Sequence, residues 1–116
     1  MKSHVRVAVI GGGVVGCSVL YHLTKLGWKD VVLLERSELT AGSTWHAAGG
    51  MHTLNGDPNV AKLQKYTIEL YKEIEAISGQ SCGLHTPGGL MLAGTKDRMD
   101  WLKMAVARGS DRKSTR

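Results

Sequence analysis

A chain of 116 residues is one domain at most, and its 42% hydrophobic and 22% charged residues are ordinary for a soluble globular protein, so composition suggests neither a disordered nor a membrane class. The net charge of +5 does not mark a nucleic-acid surface: Arg108, Arg112, Lys113 and Arg116 against Asp111 place +3 of it in the last nine residues, with no aromatic residues interleaved. No run reaches the ~18 apolar residues of a membrane span, and the isolated Cys17 and Cys82, without metal-ligand or CxxC spacing, suit a reducing, cytoplasmic location.

The chain opens with Lys2 and Arg6 ahead of an apolar stretch, and Val14 to Cys17 resembles a lipoprotein cleavage site. Arg6 interrupts that stretch and three consecutive glycines weaken a signal helix, so export is not expected. Val5, Val7, Val9 and Ile10 predict instead a short strand buried on both faces. Glycines follow, and then Val15, Val19, Leu20, Leu23 and Leu26 recur at helical intervals up to a closing Gly27. Val31 to Leu34 is a second β-branched run, ending on Glu35. A strand joined to a strand through a helix of this length implies parallel pairing.

Residues 36–56 show no periodicity and are rich in Ser, Thr, Ala and Gly around Trp45 and His46. Irregular stretches of this length inside a compact domain are uncommon and tend to be functional or disordered. Asp57 and Pro58 then read as N-cap and first turn of a helix whose inner face is Val60, Leu63, Thr67, Leu70, Ile74 and Ile77, and Gly79 ends it. Leu84 to Thr86 and Leu90 to Ala93 flank Pro87-Gly88-Gly89 as a hairpin would. Thr95 is placed to cap a last helix with Met99, Leu102 and Val106 inward. Residues 108–116 are polar and aperiodic, and a disordered or non-family tail is expected there. The predicted class is mixed α/β: a Rossmann-type βαβ unit, loop, helix, hairpin and helix, with only two strands of a parallel sheet and hence an incomplete domain.

Gly11, Gly13 and Gly16 satisfy the spacing GxGxxG. The first glycine permits a tight turn off the strand, the second lets backbone approach a pyrophosphate, and the third lets helix and strand pack closely. With 15 glycines in the chain the match alone is weak. Its position between strand and helix strengthens it, as does Glu35, 19 residues after Gly16, where a carboxylate would accept the adenosine ribose hydroxyls and repel a 2′-phosphate. The alternative is a glycine-rich turn beside a surface Glu. FAD is preferred over NAD because the chain breaks into the small-residue loop Gly42-Ser43-Thr44 instead of continuing a parallel sheet.

The remaining candidates read as structural. His46 and His52 are six apart with no helix to bring them together, so no metal site is expected. His22 and His85 read as packed or surface residues, Trp101 and Met104 as helix contacts, and Tyr66 and Tyr71 as packing positions on an amphipathic helix.

The stretch VAVIGGGVVGCSVLYHLTKLGWKDVVLLERSELTAGSTWHAAGG, followed by GLHTPGGLMLAGTKDRMDWLK, resembles the N-terminus of the FAD-dependent dimethylglycine and sarcosine dehydrogenases of the D-amino acid oxidase-like flavoproteins, from about Val5 to Ala107. The resemblance implies a partial FAD-binding domain over 1–107, with 84–107 beginning a substrate domain, and an oxidoreductase acting on the C–N bond of an N-methyl amino acid. It implies FAD held by Gly11, Gly13, Val14, Val15, Gly16, Glu35, Arg36, Gly42, Ser43 and Thr44, with His46 at the position of the flavin-linked histidine. It implies transfer of electrons to an electron-transfer flavoprotein, and folate where a C-terminal domain exists. Such proteins are several times longer, so a fragment or truncated reading frame is expected, with the catalytic residues downstream. A non-catalytic remnant and an oxygen-using amino-acid oxidase are the alternatives.

Overall fold

The computed structural model describes residues 4–111. The chain divides into two compact units, Met1–Gly49 and Gly50–Arg116. This division falls inside the glycine-rich loop.

In the first unit, strand β1 (Val7–Ile10) pairs in parallel with β2 (Val31–Leu34), Val7 opposite Val31 and Ile10 opposite Leu34. The ladder is extended at one end by Gly11 N–H donating to the Leu34 carbonyl at 2.8 Å. At the other end, Arg6 N–H donates to the Asp30 carboxylate at 3.0 Å, and the Arg6 guanidinium lies 4.3 Å from the centre of the Trp28 ring. Helix α1 (Val14–Lys25) connects the strands. It closes as the sequence predicts: Gly27 takes φ +87, its N–H reaches the Thr24 carbonyl, and Trp28 N–H reaches that of Leu23. That pair of bonds is a Schellman closure, and it turns the chain into β2.

The expectation of strands buried on both faces fails. Val7 and Val9 are half-buried while Ile10 is 86% exposed, and on α1 Leu20 and Leu23 are half-buried while Val15 and Leu26 stand 75% and 76% exposed. The strands are apolar on both faces, as in a parallel sheet with helices on each side, but within this unit a single helix packs on them.

In the second unit, helix α2 (Pro58–Ser78) starts where Asp57 Oδ1 accepts from Asn59 N–H and Val60 N–H at 2.7 and 3.0 Å. It stops at Gly79, in the left-handed region at φ 69. Beyond it, Glu75 Oε1 accepts from Cys82 N–H at 2.7 Å and so folds the exit segment back on the last turn. Helix α3 (Lys96–Asp111) begins with Thr95 Oγ1 accepting from Arg98 N–H at 3.2 Å.

Three further expectations are corrected here. The hairpin around Pro87-Gly88-Gly89 does not form: residues 84–93 carry no strand, and Leu90 and Leu92 are 86% and 83% exposed. An isolated two-stranded hairpin is marginal in water without a third strand or a helix to cover it. The tail expected from Arg108 begins inside α3, which runs on to Asp111; residues 112–116 lie outside the described residues. The inner faces of the helices are narrower than their periodicity predicts: Leu63 and Ile77 on α2 and Val106 on α3 are 64%, 71% and 62% exposed. Among the described residues the only buried hydrophobic side chain is Leu70, and no helix is long and apolar enough to cross a membrane.

So thin a core cannot offset much chain entropy, which amounts to about 1–2 kcal/mol per ordered residue. Heated as the 116-residue chain and followed by circular dichroism, the protein is expected to lose helix gradually. A sharp, cooperative transition in a monomer would show that its apolar surface is better covered than these exposures imply.

Candidate functional site: a glycine turn and the loop that closes on it

The site is built where β1 ends. Gly11, at φ +103, turns the chain in a conformation that L side chains avoid. Gly13 then sits at the N-cap of α1 in extended geometry, and its carbonyl accepts the first helical bond from Cys17 N–H at 2.9 Å. A Cβ built at Gly16 would be driven into the Gly11 carbonyl oxygen, so α1 approaches the turn as closely as backbone permits. These are the three glycines of the fingerprint, and two have direct steric reasons in the structure. The third, Gly13, faces the loop: a Cβ there would stand 3.0 Å from Thr44 Oγ1.

The N-terminus of α1 carries no side-chain cap from Gly13 and no acidic residue in its first turn. Its N–H groups and the positive end of its dipole are therefore available to an acceptor from elsewhere. One such acceptor is Thr44, whose Oγ1 takes Val14 N–H at 2.9 Å.

Glu35, half-buried at the end of β2, turns back toward the glycines. Its Oε2 accepts from Gly12 N–H at 2.6 Å and its Oε1 from Ser37 N–H at 3.0 Å. These bonds, first that from Gly12 and then that from Ser37, hold the carboxyl below its ordinary value of 4.5, with a smaller contribution from Arg36. Each oxygen keeps lone-pair capacity for a further donor. Gly12 itself is buried, and a Cβ on it would meet Leu39 Cδ2 at 2.5 Å and Glu35 Cβ at 3.1 Å.

The loop after Glu35 is a run of hydrogen-bonded turns. Trp45 N–H reaches the Gly42 carbonyl at 3.2 Å, His46 N–H that of Ser43 at 3.2 Å and Ala47 N–H that of Thr44 at 3.3 Å. The His46 ring is exposed, with Nδ1 2.9 Å from the Gly42 carbonyl oxygen. The structure thus brings Gly11, Gly13, Val14, Gly16, Glu35 and Thr44 together around one helix terminus. Val15, Arg36, Gly42 and Ser43 lie exposed. Reasoning from sequence missed Gly12, Leu39 and Thr40; the first was legible as the middle of three glycines, the other two carry no local signal.

A cradle of backbone N–H groups at a helix terminus, open because its lining residues are glycines, with a carboxylate at its side, is suited to a dinucleotide. The chain matches the family described as FAD dependent oxidoreductase over residues 6–115. It belongs to that family. It is 49% identical to a human protein named dimethylglycine dehydrogenase, mitochondrial, over 92% of this chain, and 40% identical to human sarcosine dehydrogenase, mitochondrial, over 94%. It is also 39% identical, over 93% of its length, to the mouse pyruvate dehydrogenase phosphatase regulatory subunit, mitochondrial. The chain spans 12% of the length of each of these relatives. The family match also passes the boundary expected at Arg108.

The lowered Glu35 value fixes a pH dependence. Hydrogen bonds that favour the carboxylate stabilise the folded turn fully above 4.5 and are lost as pH falls through the lower, folded value. The Gly12 amide resonance is expected to stay constant from pH 7 to about 4.5 and to move only below it. In Glu35→Gln that transition is expected to disappear. A transition centred above 4.5 would contradict the bonding described here.

Proposed function

We propose that the chain is the FAD-binding N-terminal portion of an oxidoreductase that oxidises the C–N bond of a small N-methylated amino acid. The observation that carries this reading is the glycine turn closed against α1 at Gly16, with Glu35 and Thr44 converging on it. The family supplies the cofactor class, and the names of the two dehydrogenase relatives supply the substrate class.

In this proposal Gly11, Gly13 and the first turn of α1 hold the pyrophosphate, Val15 through its backbone N–H and Val14 beside the Thr44 hydroxyl to which its own N–H is donated. Glu35 accepts the ribose hydroxyls through its remaining lone pairs, beside Arg36. Gly42, Ser43 and Thr44 line the path toward the flavin end. Bound flavin supplies a two-electron acceptor for the amine, and the residues that choose the amine are assigned outside this chain. In the same proposal the electrons would pass onward to an electron-transfer flavoprotein. The cytoplasmic location expected from cysteine usage draws no support from the mitochondrial names of the relatives; a reducing compartment is the part that the two free cysteines favour.

His46 is proposed as the residue that would carry FAD covalently: its Nε2 would replace one hydrogen of the 8α-methyl group, and the two electrons and two protons released would be taken up by the flavin ring itself, which an external acceptor such as dioxygen would then reoxidise. A carbonyl can only accept, so the contact with Gly42 requires the proton on Nδ1 and leaves the Nε2 lone pair outward on an exposed ring. The relative named as a regulatory subunit favours a second reading, in which the fold persists in a non-catalytic role.

Quenching of FAD fluorescence by the chain tests the first part. Gly13→Val is expected to weaken binding by roughly ten- to a hundredfold, on the scale of overpacking a tight site, and Glu35→Ala by roughly tenfold or more. Wild-type affinity in the Gly13→Val protein would remove the phosphate-cradle assignment. Acid denaturation after loading, followed by mass analysis of the peptide carrying His46, tests the link. Colourless protein after full loading would refute the covalent bond and leave the binding assignment standing.

A further inference from the structure

One residue of the closing loop is held where its chemistry does not favour it. Thr40 has φ 68, and among the described residues it is the only non-glycine with positive φ. A β-branched side chain in the left-handed region is a marked outlier, one that persists only where surrounding bonds hold it. Those bonds are present on both sides of the residue. Thr40 N–H donates to the Gly12 carbonyl at 3.0 Å, and the Thr40 carbonyl accepts from Trp45 N–H at 3.1 Å. Its neighbour Leu39 lies over Gly12, at a distance that leaves no room for a Cβ there.

We propose that Thr40 is a positioning residue: its left-handed turn latches the loop onto the Gly12 carbonyl and so sets the 42–47 turns, bringing Thr44 Oγ1 to Val14 N–H at the mouth of the cradle. The latch works on a different peptide group from Glu35, which holds the Gly12 N–H. The two sides of one glycine therefore serve two parts of a ligand, the N–H side through the ribose-facing carboxylate and the carbonyl side through the loop that leads toward the flavin. This deepens the FAD reading proposed above and rests on it for its consequence, though not for its geometry.

The test separates latch from ligand. Amide hydrogen exchange is measured on the ligand-free 116-residue chain as wild type, Thr40→Pro and Thr40→Gly. Proline removes the N–H and forbids positive φ; glycine keeps the N–H and accepts the turn without strain. Wild type and Thr40→Gly are expected to protect the Val14 amide at least about tenfold over an unstructured chain, one hydrogen bond's worth. Thr40→Pro is expected to lose that protection while the Trp28 amide, in the closure of α1, stays within about twofold of wild type. An unprotected Val14 in wild type, or loss of its protection in Thr40→Gly, overturns the latch; so does full protection in Thr40→Pro.

Affinity for FAD and for AMP supplies the second readout. Thr40→Pro is expected to bind FAD about tenfold more weakly and AMP within about twofold, because AMP, held at its ribose by Glu35 and at its single phosphate by the glycine turn, stops short of the 42–47 turns that lead toward the flavin. Equal losses for both ligands would reduce Thr40 to a general structural role and overturn the positioning claim. A wild-type chain that protects Val14 yet binds neither ligand would overturn the FAD reading and its consequence for Thr40, leaving the latch geometry in place.

Discussion

The peptide groups of Gly12 are shared between two elements that are distant in sequence. The N–H is held by Glu35 from the end of β2, and the carbonyl by Thr40 from the loop beyond it. Both partners arrive only because β1 and β2 lie in parallel register with Ile10 opposite Leu34, which puts the two strand ends at the same height. Parallel pairing thus does more than form a sheet here. It delivers a carboxylate and a turn to the start of α1; removing the carboxylate would leave the Gly12 N–H without its acceptor, and removing the turn would leave the Gly12 carbonyl only the weak Cys17 Sγ donor at 3.5 Å.

The same packing explains why glycine fills these positions for different reasons. Gly11 is required by its backbone angle, Gly16 by the Gly11 carbonyl it nearly touches, and Gly12 by the side chains that close over it. Gly13 faces Thr44 and the open cradle. Four requirements of backbone angle, close approach, lateral packing and access meet within six residues. A motif that records only three of them understates how constrained the turn is.

Much of this was legible in the sequence, and the legible part is the local part. Period, caps and turn chemistry placed β1, α1, β2 and the start and end of α2, since Gly27, Asp57 and Gly79 act through bonds to residues within a few positions of themselves and Pro58 through its fixed φ at the start of the helix. What failed depended on partners far along the chain. Leu90 and Leu92 alternate like strand residues, yet two short segments cannot sustain a ladder unsupported. Ile10 and Leu63 read as core from their periodicity and stand exposed, because period says which face is apolar and not whether anything covers it. Thr40 gave no warning: nothing in its residue type favours a left-handed turn, and only the Gly12 carbonyl explains it.

The charges around the turn constrain what can occupy it. The start of α1 presents N–H donors and a partial positive charge, while Glu35, ionised across the neutral range, sets a full negative charge beside it. An occupant must bring acceptors or negative charge to the first and donors to the second. Inorganic phosphate satisfies the helix and is repelled by the carboxylate; a neutral diol satisfies the carboxylate and leaves the helix unmet. A pyrophosphate joined to a ribose with free 2′ and 3′ hydroxyls satisfies both, and a phosphate on the 2′ oxygen would place like charges together at Glu35. In the proposed FAD reading, a preference for a ribose whose 2′ oxygen carries no phosphate would follow from these two groups alone.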